Sequence, residues 1–145
     1  MKKNHLIELC VFIFALLPVV AHCEISEEVY CFDSNGTGSK NFGLHVLYDD
    51  AENWSIAFVK YRGVKSVITL VSKSEESEGI SSGRPDQVIT AWYEVYGGKI
   101  AGEYEMMSQG ANIYSMTYEN YGTRKKTAFL FNPEAIGKNG RECVW

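Results

Sequence analysis

The chain has 145 residues, with 14 Lys+Arg against 18 Asp+Glu and a formal net charge of -4. That length suits one domain. A hydrophobic share of 46% and an aromatic share of 13% exclude a disordered chain. The acidic balance argues against a protein that works by neutralising nucleic-acid phosphates.

The first element in chain order reads as an export signal. Met1-Lys2-Lys3 is a short positive region, an apolar run follows from Leu6 to Val20, and Ala21-His22-Cys23 offers a cleavage site. Glu8 and Pro18 keep the run short of the ~20 apolar residues of a membrane span. The expectation is a cleaved signal peptide over 1–23 and a single periplasmic β domain over 24–145. Loss of Lys2, Lys3 and Glu8 leaves 12 basic and 17 acidic residues, a net charge of -5. Cys10 and Cys23 leave as well, so Cys31 and Cys143 remain. Two cysteines in an exported domain predict one disulfide, which ties the two ends of the domain together.

Strands are expected near Val29–Asp33, Phe42–Tyr48, Trp54–Tyr61, Val64–Ser72, Gln87–Tyr96, Lys99–Met107, Asn112–Asn120 and Lys126–Phe131, with a short last one at Glu142–Trp145. These runs are rich in β-branched and aromatic residues. Turn-forming pairs separate them: Asn35-Gly36, Asp49-Asp50, Arg62-Gly63, Gly97-Gly98, Gln109-Gly110 and Tyr121-Gly122. Gly97-Gly98 is the strongest hairpin signal, because both residues tolerate positive φ. Alternation groups Trp54, Ile56 and Phe58 on one face, Tyr114, Met116 and Tyr118 on another, and Phe129 with Phe131 on a third. Asn132-Pro133-Glu134-Ala135 predicts one helical turn capped by Asn132. The segment 72–86 is polar, acidic and Ser/Gly-rich, and reads as a long connection. The fold class is all-β: an antiparallel sandwich or small barrel of about eight strands.

Catalytic chemistry finds little support. His45 is the only imidazole of residues 24–145 and lies inside an expected strand. No Gly-x-Ser-x-Gly elbow accompanies it, and a disulfide leaves no thiol nucleophile. Asp49-Asp50-x-Glu52 lacks the spacing of a calcium loop, and Gly36–Lys40 lacks the order of a phosphate loop. No metal site, cofactor or enzymatic activity is expected. Tyr93, Tyr96, Tyr104, Tyr114, Tyr118 and Tyr121 divide between core packing and a protein-binding face. A small acidic exported domain of this kind suits a binding protein with a basic partner.

An export signal at Met1–Cys23, Val29-Tyr30-Cys31 opening the domain and Arg141-Glu142-Cys143-Val144-Trp145 closing it bracket a β-rich body. In this the chain resembles the periplasmic lysozyme inhibitors and bacteriocin-immunity proteins, the immunity partners of muramidase toxins (pesticin immunity type) in particular. The resemblance implies a protein that blocks a basic peptidoglycan hydrolase in the periplasm. Asp49, Asp50, Glu52, Glu75, Glu76 and Glu78 would then steer the encounter, with Ser81, Ser82 and Arg84 making loop contacts. Neither Gly36–Lys40 nor Ser81–Arg84 reproduces the Ser/Gly inhibitory loop of the C-type lysozyme inhibitors, so a dedicated immunity protein fits better than a general inhibitor. The other readings are a small-ligand-binding β-barrel, its aromatics lining a cavity, and an outer-membrane barrel. The latter suits Trp145 but not the charged Arg141-Glu142 beside it. Neither nucleic acid nor stable membrane insertion is expected.

Overall fold

A computed structural model describes residues 25–34, 40–49, 51 and 54–145. The expected signal peptide, Asp50, Glu52 and the Asn35-Gly36 turn lie outside the described residues. Eight strands follow one another: β1 (Ile25–Ser34), β2 (Phe42–Asp49), β3 (Trp54–Tyr61), β4 (Ile68–Glu78), β5 (Gln87–Tyr96), β6 (Lys99–Gln109), β7 (Asn112–Asn120) and β8 (Lys125–Phe131). Each pairs antiparallel with the next, and β8 returns to β1 to close a barrel. The all-β, roughly eight-stranded expectation holds in its barrel form. Gly97 and Gly98 turn β5 into β6 with φ of 58° and 75°, the double positive φ of a tight hairpin.

An eight-stranded barrel is just wide enough for side chains to fill it. Phe32, Phe42, Leu44, Val46, Ala57, Val59, Leu70, Trp92, Tyr104, Met106, Met116 and Phe129 form the packed interior. Phe42 stands at the centre of the aromatic packing, edge-on to Phe129 with ring centroids 4.8 Å apart and to Tyr104 at 5.7 Å. Gly102 lets Tyr118 lie across the lumen. A Cβ there would sit 2.6 Å from the Tyr118 ring and 2.5 Å from the Glu119 carbonyl oxygen.

The wall is continuous in its upper half and divides below. β4 pairs with β3 only through Ile68, Thr69 and Leu70, yet follows β5 down to Glu78. β8 meets β1 only at Phe32, Asp33 and Ser34. The lower half therefore consists of two leaves, β1–β3 and β4–β7. The edge of β4 left free by this division carries a bulge between Ser72 and Ser74 and then Glu75, Glu76 and Glu78. Such features discourage edge-to-edge pairing.

After β8, Pro133–Ala135 form the expected single turn, a 3-10 turn with Asn132 at its N-cap. The tail then runs back over the outside of β1. Cys143 bonds Cys31 with Cα atoms 5.8 Å apart, and Val29, Cys31, Ala135, Ile136, Cys143 and Trp145 form a small second core outside the barrel. Asp33 fastens the same region, accepting from Asn41 Nδ2 at 2.8 Å and Asn132 Nδ2 at 2.6 Å.

Several expectations change. Glu142–Trp145 is not a strand; its only ladder contact is an isolated bridge between Ile136 and Cys143. The disulfide therefore pins an irregular tail beside β1. The fourth strand begins at Ile68, because Arg62–Val67 form the turn before it. It continues to Glu78, so the connection read over 72–86 shrinks to 79–86. Trp54, Ile56 and Phe58 do share a face, but it is the outer one: Ala57 and Val59 are buried, while Trp54 is 45% and Ile56 39% exposed. A pairing irregularity between Met107 and Ser108 skips Tyr114. Tyr114 consequently turns outward while Ile113, Met116 and Tyr118 pack on the core.

Candidate functional site

The strand directions sort the charges by end. The upper end, which carries the Gly97-Gly98 turn, gathers Lys40, Lys60, Arg62, Lys65, Lys99, Arg124, Lys125 and Lys126, and these outnumber the carboxylates Asp33, Glu94 and Glu119 at that end. The lower end gathers Glu27, Glu28, Glu75, Glu76, Glu78 and Asp86, and among its described residues Arg84 is the only cation. Net charge alone hides this separation. The barrel is a charge dipole with an acidic split end.

The residues picked out in sequence divide accordingly. Glu75, Glu76 and Glu78 lie on the part of β4 that runs free of β3, all three exposed. Ser81, Ser82 and Arg84 occupy the exposed loop at the tip of the same hairpin. These six come together. Asp49 does not belong with them: it is 4% exposed and its carboxylate accepts from the Ala51 amide at 3.0 Å. It shapes the turn after β2, so it supplies little surface charge. Asp50 and Glu52 lie outside the described residues.

Inside the split end, carboxylates meet tyrosines. Tyr30 donates to Glu28. Burial lifts the Tyr30 hydroxyl well above the ordinary phenol range, and Glu28 lifts it further. Burial also raises Tyr48, to about 12, with Glu28 and Glu75 adding to it from the two leaves. A charge on β4 is thus felt by a hydroxyl on β2 across the opening. At the upper end, Tyr61 and Tyr104 hydroxyls lie 2.7 Å apart. Burial keeps Tyr104 protonated far above the ordinary range. On the outer wall Lys73 donates to Glu103 at 2.7 Å, and Tyr121 donates to the other oxygen of the same carboxylate. Burial opposes the Glu103 charge, but these two hydrogen bonds outweigh it and lower its pKa.

A second site was not expected from the sequence. A groove of about 370 Å³ runs along the outside of β2 and β3, walled by the β3–β4 turn and by the disulfide-bonded tail. Its floor holds His45, whose side chain is 9% exposed. Nδ1 lies 2.9 Å from Glu27 Oε1, and the ring stacks on Phe58 with centroids 4.4 Å apart and planes 11° apart. Gly43 keeps room for it: a Cβ there would stand 2.9 Å from Cys143 Sγ and 3.4 Å from His45 Nε2. Lys60, Arg62 and Arg141 line the groove with Val64, Val67 and Glu142. The one signal in the sequence was the even spacing of Glu27 from Val29, which puts both on one face of the strand. Only the pairing of Val29 with His45 and Glu27 with Leu47 makes Glu27 the diagonal neighbour of the imidazole.

Chemically, the groove presents an oriented imidazole and cations without a Ser or Thr hydroxyl among its lining residues, and its cysteine is bonded. Among the described residues no three His, Cys, Asp or Glu side chains gather for a metal ion, and no helix is long and apolar enough to cross a membrane. Comparison with protein families, with curated proteins and with solved structures finds no match to this chain.

Proposed function

We propose that the protein is an exported immunity-type inhibitor that binds a basic peptidoglycan-cleaving muramidase toxin through its acidic split end. The observation that carries this reading is the segregation of charge: Glu28, Glu75, Glu76, Glu78 and Asp86 surround one opening while the cations collect at the other. Such a dipole orients a basic partner before contact and speeds productive encounter. The free edge of β4 and the Ser81–Arg84 loop lie beside the same charges and supply backbone groups for contact.

The rest of the molecule agrees with this role. The Cys31–Cys143 bond suits an oxidising compartment such as the periplasm. The outer wall carries Lys60, Glu103, Glu105, Glu119 and Lys126 around an apolar interior, the reverse of a membrane-inserted barrel. A lumen packed with Phe32, Phe42, Trp92 and Tyr104 favours protein binding over an internal ligand chamber.

The test is association with muramidases in solution. The wild-type chain should bind one of them, and the triple variant Glu75→Lys, Glu76→Lys, Glu78→Lys should bind it about tenfold more slowly at low salt. Deleting the gene should sensitise cells to that enzyme. A dedicated immunity protein recognises one enzyme of the panel, whereas a general inhibitor recognises several. Binding indifferent to both charge reversal and salt would overturn the proposed interface.

A further inference from the structure

The His45 groove lies on the outer wall, shares Glu27 with the acidic end, and has its own chemistry. Glu27 is a carboxylate, which only accepts, so His45 Nδ1 is the nitrogen that carries hydrogen toward it. This fixes the ring, and the stacking on Phe58 holds its plane. Nε2 is then the free nitrogen. It makes no hydrogen bond among the described residues, yet no buried polar atom there lacks a partner. Nε2 therefore opens to the groove.

Its surroundings are cationic. Lys60, Arg62 and Arg141 line the groove, and among the described residues none has a carboxylate within 4.0 Å. Against them stand Glu142 and Glu27, the latter engaged by His45. Val64 and Val67, 47% and 50% exposed, offer an apolar side opposite Phe58. A volume of about 370 Å³ lies within the small-molecule range.

We propose that this groove binds a small organic oxyanion, a carboxylate or phosphate on a flat apolar body, held by His45 Nε2, Arg62 and Arg141 with the body against Phe58, Val64 and Val67. Guanidinium forks and an oriented imidazole suit planar or tetrahedral oxyanions. With Nδ1–H committed to Glu27, Nε2 donates only when the ring is protonated. Glu27 from β1, Lys60 from β3, Arg62 from the turn, and Arg141 and Glu142 from the tail are the charged groups facing that ring.

The full chain with its disulfide intact is titrated with benzoate, phenyl phosphate and benzamide, followed by amide and imidazole NMR shifts. At least one of the two anions should perturb Gly43, His45 and Phe58 with Kd near ~1 mM, and which of them binds more tightly identifies the oxyanion. Benzamide, the neutral isostere of benzoate, should bind at least about tenfold more weakly, as should either anion to the double variant Arg62→Gln, Arg141→Gln. His45→Gln should weaken the binding of either anion severalfold, while Lys99→Gln, remote from the groove, should change nothing. The proposal is overturned if neither anion shifts groove residues at about 10 mM, if benzamide binds as well as benzoate, or if the folded arginine variant binds as tightly as the wild type.

Discussion

Reduction of the Cys31–Cys143 bond isolates the contribution of a single link. The bond spans 112 residues. Chain-entropy reasoning for a loop of that size gives about 5 kcal/mol of stabilisation, acting through the unfolded chain. The native barrel does not need the bond for its shape: β8 already pairs with β1 at Phe32, Asp33 and Ser34, and Asn132 N donates to Cys31 O at 2.8 Å. The reduced protein should therefore keep its strand content and lose stability. With a urea slope of ~1–3 kcal/mol per molar, the unfolding midpoint should fall by roughly 2 M or more, and the slope should rise as the unfolded chain, no longer cross-linked, exposes more surface. Circular dichroism and urea titration with and without dithiothreitol measure both quantities. Hydrogen exchange should also quicken first at Gly137 and Val144, whose amides are held by Glu142 O and Ala135 O. Equal midpoints for the oxidised and reduced forms would refute the reasoning, because the loop entropy is then not being removed.

Other outcomes follow from single sites. Gly102→Ala places a methyl group 2.5 Å from a backbone oxygen and 2.6 Å from the Tyr118 ring, and should cost about 2–3 kcal/mol in chemical unfolding. Tyr48 and Tyr118, raised by burial to about 12, hold their protons in the folded state after the unfolded chain has lost them near 10. Their stabilisation is thus complete below pH 10 and lost as pH rises toward 12; absorbance at 295 nm and unfolding at stepped alkaline pH should show both events. Glu103→Gln should return Tyr121 from about 12 toward its ordinary value of 10.0, since the Glu103 hydrogen bond is the main cause of its shift. An unshifted phenol titration in that variant would falsify the assignment.

The sequence carried the strand inventory well, because hairpin turns and alternation are local signals. Gly97-Gly98 and Asn132-Pro133 acted where the local reading put them. Where local preference and tertiary pairing disagreed, pairing decided. Ser72–Glu78 has little intrinsic strand preference, yet β5 supplies partners for it down to Gln87. Alternation put Trp54, Ile56 and Phe58 together but carries no information on which face turns inward. The lumen already holds Phe32, Phe42 and Trp92, so the smaller Ala57 and Val59 go inside. Glu75, Glu76 and Glu78 were legible as a cluster on one segment, whereas Asp49, chosen with them, is buried in the turn after β2. The separation of that cluster from the cations was not legible, since it depends on strand direction. The His45–Glu27 contact needed the β1–β2 register, which no local pattern specifies.

The next-neighbour strand order also governs how the fold is reached. Seven of the eight strand pairings join consecutive strands, so hairpins from β2 to β7 can assemble as soon as their residues are available. The closing pair and the disulfide join residues 95 or more positions apart, the nearest being Ser34 with Phe129. A chain emerging N-terminus first presents Cys31 long before Cys143, and β1 waits with one edge unpaired until β8 arrives. Cys31 is therefore the thiol open to mixed disulfides during maturation, and an oxidant that acts before β8 docks would trap an open sheet.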